Sequence, residues 1–547
     1  MLALLAVTQF LMTVDATVMN VSISALVEDL DTSVTAIQGV ITTYTLVMAA
    51  AMITGGKLGD ILGRRRALRL GLLVYALGSG VTAVAPNVLV LLFGWSILEG
   101  LGAALIMPTV VALIAGNFEG QKRGAAYGTI AAASAVAAAA GPIIGGFVTS
   151  NLSWRWVFVA EVFIALGIIA MSGKIADVEV EHPPRLDLVG AALSALGLAL
   201  VVFGVLQSSA WGWITPQVPT GPDATPALGG VALPAWLIMG GLLLLYLFVL
   251  WLHRCKDTGR EPLFDPDLLE NRQLRGGLVL LAVQFVVTNG VFFMIPLFLT
   301  IVLGLSALDT GLRMLPLSVA LIVVAPAVPR FWPHASPRRV VRLGLALLVV
   351  AGALLAALLD QGADASIVFV PFILLGAAFG LLASQLGNVI VSSEPPENSS
   401  EVGGLQYTAQ NLGGSLGTAL IGVVIIGSLT GIFVEELSAD PDVSAAVAEA
   451  AGTELEGGAE FVSDADLEAA LADVDLSDAE RDAFLDANSA ARIGALQKGA
   501  MVAAVIALLG LFATGRVPDH PVGGPDPPPD EATPGRQRNG LRRRRDQ

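Results

Sequence analysis

Two carboxyl groups stand in surroundings where carboxylates are rare. Asp15 lies about midway along the apolar stretch 2–26, and Glu99 about midway along the stretch 88–108. An acid at bilayer depth costs roughly 2.5–3.5 kcal/mol on insertion scales, so both are expected to face the interior of a helix bundle. Such a group can take up and release a proton as its access alternates between the two sides, or it can hold helices together as a protonated acid. Thr8, Asp15 and Ser22 recur every seven residues and make one polar stripe, with Asn20 in the same stretch. Ser96 and Glu99, three apart, share a helix face. No Lys or Arg stands in either stretch. The space between them is therefore negative and favours lipophilic cations over anions.

Weaker candidates line other apolar stretches. Gln284, Thr288 and Phe292 fall along one face of the stretch 276–303, with Phe285, Asn289 and Phe293 beside them and Pro296 beyond. Aromatic walls with few polar groups suit a permissive apolar pocket, and equally a packed core or a lipid-facing surface. Gln406, Gln410, Gly414 and Gly417 form a stripe that either lines a cavity or packs. Glu161 is nearer the end of its stretch, where an interfacial charge pair with Arg155 is expected. The four histidines, His182, His253, His334 and His520, fall in loops or at helix ends, so no intramembrane histidine cluster offers metal or acyl-transfer chemistry. Cys255 is the one cysteine, which excludes an internal disulfide framework.

The elements that must position these groups are membrane helices. The 547 residues are 55% hydrophobic and 14% charged, with a mean hydropathy of +0.75, far from a soluble average. Apolar runs long enough to cross a bilayer predict an all-α polytopic protein with about fourteen spans, at 2–26, 36–56, 68–85, 88–108, 125–148, 156–173, 188–209, 233–253, 276–303, 310–330, 340–359, 366–390, 403–433 and 495–515. The first run has no basic region before it and is too long for a signal-peptide core, so it is expected to be a span; either the later loops set its orientation or the true start lies upstream. Of the 30 Lys and Arg residues, 25 fall in alternate loops and helix ends, which places both termini in the cytoplasm.

The net charge of −16 is concentrated. Residues 434–492, on the opposite side, hold 17 acids against two arginines. Ser463-Asp464-Ala465-Asp466 and Ser477-Asp478-Ala479-Glu480 are helix-start signals, and Leu467, Leu471, Val474, Phe484 and Leu485 supply apolar faces. A short helical cap leading into the last span is expected. Asp473-Val474-Asp475-Leu476-Ser477 faintly resembles a calcium loop but lacks its glycine and closing glutamate, so solvated helix is the expectation. The Pro- and Gly-rich tail 516–547 ends in four arginines, reads as disordered and is suited to touch anionic lipid.

Between the second and third spans the chain reads Gly56-Lys57-Leu58-Gly59-Asp60-Ile61-Leu62-Gly63-Arg64-Arg65-Arg66-Ala67-Leu68. This order resembles the signature loop of the major facilitator superfamily, which implies a cytoplasmic gate: Gly56 and Gly63 for turning, Asp60, Arg64 and Arg65 for charge pairs that close and reopen. Further motifs resemble the drug:proton antiporter-2 branch. They are Val14-Asp15-Ala16-Thr17-Val18-Met19-Asn20-Val21, and the antiporter pattern of Gly128, Gly141, Pro142, Gly145 and Gly146, with Ala137 in place of its middle glycine. Leu152-Ser153-Trp154-Arg155-Trp156-Val157-Phe158 and Gly404, Gln406, Gln410, Gly413, Gly414 and Gly417 are similar to the branch too. Physically, small residues allow close helix approach and Pro142 permits a bend; coupling and simple packing both remain open for them. The fourth span departs from the family: Ser96-Ile97-Leu98-Glu99-Gly100 stands where an arginine and a glutamine are usual.

The resemblance covers the chain apart from the acidic insert and the tail. It implies a 6+2+6 major facilitator fold: a first half at 1–175, an accessory pair within 176–275, and a second half at 276–515 carrying the insert 434–492. It further implies a proton-coupled exporter of hydrophobic, cationic drugs in the cell membrane, working as a monomer without cofactor, metal or nucleic acid. In that scheme Asp15 and Glu99 lose protons on the cytoplasmic side, attract the substrate, and release it outside on reprotonation. A dedicated exporter of one metabolite or antibiotic is the alternative. An enzyme would need a reactive intramembrane constellation, and a sensor a soluble signalling domain. The second half keeps basic residues between spans ten and eleven, at Arg330, Arg338 and Arg339, without the Gly-rich gate.

Overall fold

Ser33, Asn87, Asp187, Asn271 and Ser306 each precede a long apolar run, and each side chain accepts a hydrogen bond from a backbone N–H of the turn that follows. These caps satisfy donors that helix geometry would otherwise leave open. The structure, a computed structural model, describes residues 1–118, 120–177, 185–216, 225–332, 334–360, 365–394, 399–441, 443, 461, 463–471 and 477–520.

The long helices are α1 (Leu2–Asp29), α2 (Val34–Leu62), α3 (Arg64–Ala83), α4 (Val88–Ile114), α5 (Gly120–Asn151), α6 (Arg155–Met171), α7 (Leu188–Trp211), α8 (Leu233–Asp257), α9 (Arg272–Val302), α10 (Ala307–Phe331), α11 (Pro337–Leu358), α12 (Phe369–Val391), α13 (Ser399–Ala439) and α14 (Asp478–Ala513). Among the described residues 13 helices are long and apolar enough to cross a membrane; α3, which opens on Arg64, Arg65 and Arg66 and carries Arg69, is not among them. The chain is thus an all-α, multi-pass membrane protein.

Several elements differ from expectation. The signature segment is helical through Leu62, and only Gly63, at φ +86°, makes the turn before α3 begins. Positive φ is open to glycine without Cβ strain. In α4, residues Leu92–Glu99 form a π-helix, and α1 tightens to a 3₁₀ turn at Met19–Ser22. Met314 interrupts α10. A two-stranded hairpin, Ala227–Leu228 with Val231–Ala232, precedes α8 and turns through Gly229 and Gly230, both at positive φ. α14 starts at Asp478 behind a capping box of Ser477 and Glu480, much earlier than the expected 495. A short helix, Asp464–Leu471, packs against it, and Phe484 meets Phe433 edge-on. Residues 472–476, most of 442–462, and 521–547 lie outside the described residues, and with them the calcium-like stretch up to Leu476, Val474 and most of the tail. The tail's first residues are docked instead of disordered: Asp519 bonds Ser336 and pairs with Arg338.

Helices α1–α6 pack on one another, and so do α9–α14. The two groups meet where α2 lies along α13 and where α5 lies along α10. Gln38 donates to the Thr418 carbonyl, and Ser415 to the Thr42 carbonyl, across the first contact. α7 packs on both α2 and α13, whereas α8 packs chiefly on α7 and shows most of its surface outward. α13 is the longest element, at 41 residues.

Candidate functional site

Asp15 is fully buried at the centre of the α1–α6 group. Tyr44 Oη of α2 donates to its Oδ2 at 2.6 Å, and Trp95 Nε1 of α4 donates to its Oδ1 at 3.0 Å. The two donors stack with ring centroids 5.5 Å apart, and Phe158 of α6 braces Trp95 edge-on. Both carboxyl oxygens are thereby oriented by rigid aromatic groups.

Glu99 reaches the same place by close helix approach. Gly78 of α3 lies against Glu99, and Gly94 of α4 lies against Thr82. Gly102 sits on the backbone of Tyr75, one further crossing of α3 and α4. Glycine at these contacts lets the backbones approach where a Cβ could not fit. The third member is Glu161 of α6, whose Oε2 accepts from Ser79 Oγ at 3.4 Å. One carboxylate oxygen from each of Asp15, Glu99 and Glu161 lies within 4.8 Å of the others, and all three residues are buried. The expected Glu161–Arg155 pair does not form, because Arg155 instead bonds Asp29 and the Ala85 carbonyl and lies over Trp154. Among the described residues every ion pair lies away from the three acids.

Ser96 does not join the cluster. Its hydroxyl donates to the Val40 carbonyl at 2.7 Å, tying α4 to α2. The i→i+5 winding of Leu92–Glu99 swings residues three apart off a common face. Asn20 bonds back to its own helix, donating to the Ala16 carbonyl one turn earlier. Gln284, Asn289 and Gln410 belong to α9 and α13. Gln284 is buried with its Oε1 unpartnered, Asn289 bonds the Phe285 carbonyl and rests on Gly414, and Gln410 is half-buried. Gly413 and Gly417 press on Ala282 and Val286, so this stripe packs α13 onto α9. Phe292 and Phe293 are core residues.

At the signature end, Asp60 pairs with Arg64 at 3.3 Å, and Arg64 also donates to the Ala112 carbonyl at 2.7 Å. Arg65 faces Asp177 at 3.8 Å. Gly56 rests on Pro108, within α2 rather than in a turn. Lys57 is buried and donates to the Pro262 carbonyl, so the linker after α8 lies across this end, where a cavity of about 390 Å³ opens between Lys57, Asp60, Arg260 and Glu401. In α5, Gly141 abuts Thr17 and Gly145 abuts Val18, both of α1, while Gly146 abuts Ala307, and Pro142 meets Gly311, both of α10. Gly128 has open space around it.

The sequence reading passed over Tyr44, Tyr75, Ser79, Thr82 and Trp95. Tyr75, Ser79 and Thr82 stand at i, i+4 and i+7 on α3, the same helical periodicity that drew attention to Asp15.

The family model described as Major Facilitator Superfamily matches residues 5–172 and 207–418. The chain is 28% identical to a tetracenomycin C resistance and export protein of Streptomyces glaucescens, over 79% of this chain and 76% of that one. It is 28% identical to the multidrug efflux pump LfrA of Mycolicibacterium smegmatis, over 88% and 90% of the two chains. Among solved structures it resembles a peptide transporter POT in complex with sulfate, with a TM-score of 0.57 at 15% identity over 95% of both chains, a likeness of fold.

Proposed function

Because the chain belongs to the major facilitator superfamily, we propose that it is a proton-coupled exporter of hydrophobic, cationic small molecules, working by alternating access in the cell membrane. The observation that carries this reading is the buried meeting of Asp15, Glu99 and Glu161, with no Lys or Arg paired to them among the described residues. Uncompensated acids at bilayer depth are a costly arrangement, and such groups mark ion or proton pathways. Residues 1–175 and 276–515 act as the two halves, 176–275 supplies the accessory pair, and both termini face the cytoplasm. The protein works as a monomer and is a carrier rather than an enzyme.

In the cycle, Asp15 and Glu99 release protons towards the cytoplasm, and the resulting negative charge attracts a lipophilic cation. The halves then rock about the α2–α13 and α5–α10 contacts, and reprotonation from outside frees the cargo. The Asp60–Arg64 and Arg65–Asp177 pairs form and break at the cytoplasmic gate. Gly146 and Gly311 let α5 and α10 approach closely, and in this cycle that contact serves as the outer seal. Purified protein in vesicles with an imposed pH gradient tests this: cation-driven proton release is expected, and its survival in Asp15→Asn plus Glu99→Gln protein would sink the scheme.

A second reading, a dedicated exporter of one antibiotic, is favoured by the relative named for tetracenomycin C resistance and export. A substrate-panel efflux assay in an exporter-deficient host, with and without an uncoupler, separates the two by the number of compounds moved.

A further inference from the structure

Five buried oxygens around the carboxyl cluster meet no partner at regular hydrogen-bond geometry: both of Glu99, Oε1 of Glu161, the Tyr75 hydroxyl and the Thr82 hydroxyl. Tyr75 lies beside Asp15 and Glu161, and Thr82 beside Glu99. Buried polar atoms are almost always paired, and buried charges are paired or coordinate metals. Five such oxygens from α3, α4 and α6 gathered in one place make an all-oxygen ligand set.

The geometry points to a site for a small, hard cation held by Glu99, Glu161, Tyr75 and Thr82. One carboxylate oxygen each of Asp15, Glu99 and Glu161 lie within 4.8 Å of one another, close enough to surround an ion whose bonds run about 2.3–2.6 Å, as for Ca²⁺, whereas Mg²⁺ gives up its water reluctantly and is disfavoured in a dry all-protein cage. Na⁺ prefers a shell of similar size and the same all-oxygen ligands. Neutral nitrogen and sulfur ligands are missing from the set, which disfavours Zn²⁺ and copper. Asp15, already bonded by Tyr44 and Trp95, contributes charge more than coordination. The site deepens the reading of this cluster as the ion-coupling centre: a metal cation occupies it as well as protons.

Thermal unfolding of the full-length purified protein at one fixed pH and ionic strength tests the site, with NaCl, CaCl₂, KCl, MgCl₂ or choline chloride as the probe. A saturable rise of the midpoint in NaCl or CaCl₂, absent in choline chloride, is expected, and whichever of the two acts at lower concentration identifies the ion. Tyr75→Phe and Thr82→Val keep shape and charge but each removes one ligand oxygen, and either is expected to raise the half-saturating concentration ~10-fold or more. Two variants guard against one failing to fold. Identical midpoints in all salts, or half-saturation unchanged in both variants, would overturn the proposal. Export driven by a pH gradient in choline-only buffer is read separately: its absence counts against proton coupling while cation-dependent stabilisation stands.

Discussion

Gly78 of α3 sits directly on Glu99 of α4: a methyl group at Gly78 would lie 2.6 Å from Glu99 Cγ and 2.7 Å from its backbone nitrogen. The deepest acid of the second polar helix is therefore held by an absence of side chain on its neighbour. Gly78→Ala is expected to push α3 and α4 apart and cost about 1–3 kcal/mol, as overpacking commonly does. A lowered unfolding midpoint together with loss of gradient-driven export checks it, and wild-type export in this variant would refute the tight coupling of the two helices.

Tyr44 gives a second prediction. Its hydroxyl donates to Asp15 Oδ2 in a fully buried setting. Tyr44→Phe leaves that oxygen without its donor and is expected to destabilise the protein by about 1–3 kcal/mol. Tyr44→Phe also leaves the stacked ring in place, so a denaturation curve that does not move would show the hydrogen bond to be energetically idle.

The linker after α8 is held at Lys57. Lys57 donates to the Pro262 carbonyl, Asp265 N donates to Glu401 at 3.0 Å, and Leu263 and Phe264 are buried beneath the strap. Lys57→Met removes the anchor, so trypsin is expected to cut after Arg260 faster than in the wild type. Equal cleavage rates would mean that the burial of Leu263 and Phe264 alone secures the linker.

A pH response is expected at the other basic turn. The Ser336 hydroxyl, then Arg338, Arg339 and Arg342, hold the Asp519 carboxyl below its ordinary range. A group with a depressed folded-state value stabilises its docked form above the unfolded value and loses that contribution as pH falls through the folded one. Amide exchange at residues 514–519 should therefore quicken at acid pH below the usual aspartate range. Asp519→Asn should show the quick exchange at neutral pH already.

How much of this was legible in the sequence follows from what each residue costs. Asp15 and Glu99 announced themselves because a charge in an apolar run is expensive wherever the helix lies. Gly63 and the arginines after it marked the α2–α3 turn for the same local reason, though the helical course of Gly56–Leu62 did not show. Glu161 was visible and misplaced, since Arg155 is its neighbour in sequence while Asp29 lies nearer to that arginine in space. Tyr75, Ser79 and Thr82 were silent because hydroxyls cost little in a helix that can bond its own carbonyls, as Ser79 does to Tyr75. Their role is set by which helix α3 crosses, and that is a long-range fact. The π-helical turn at Leu92–Glu99 has no counterpart in residue type at all.

The length of α13 carries a consequence for the acids beyond it. Forty-one residues at 1.5 Å each make a rod of roughly 60 Å, about twice the hydrocarbon thickness of a bilayer. Its far end, with Glu435 and Glu436 and followed by Asp440, and the start of α14, with Asp478, Glu480 and Asp482, must stand clear of the lipid. The pair raises a turret of fixed negative charge over the mouth that we assign to the outside. Counter-ions gather around such a turret within a Debye length of about 8–10 Å. In the cycle proposed above, Asp15 and Glu99 opening to that side would meet a solution more acidic and richer in cations than the bulk that a pH electrode reads.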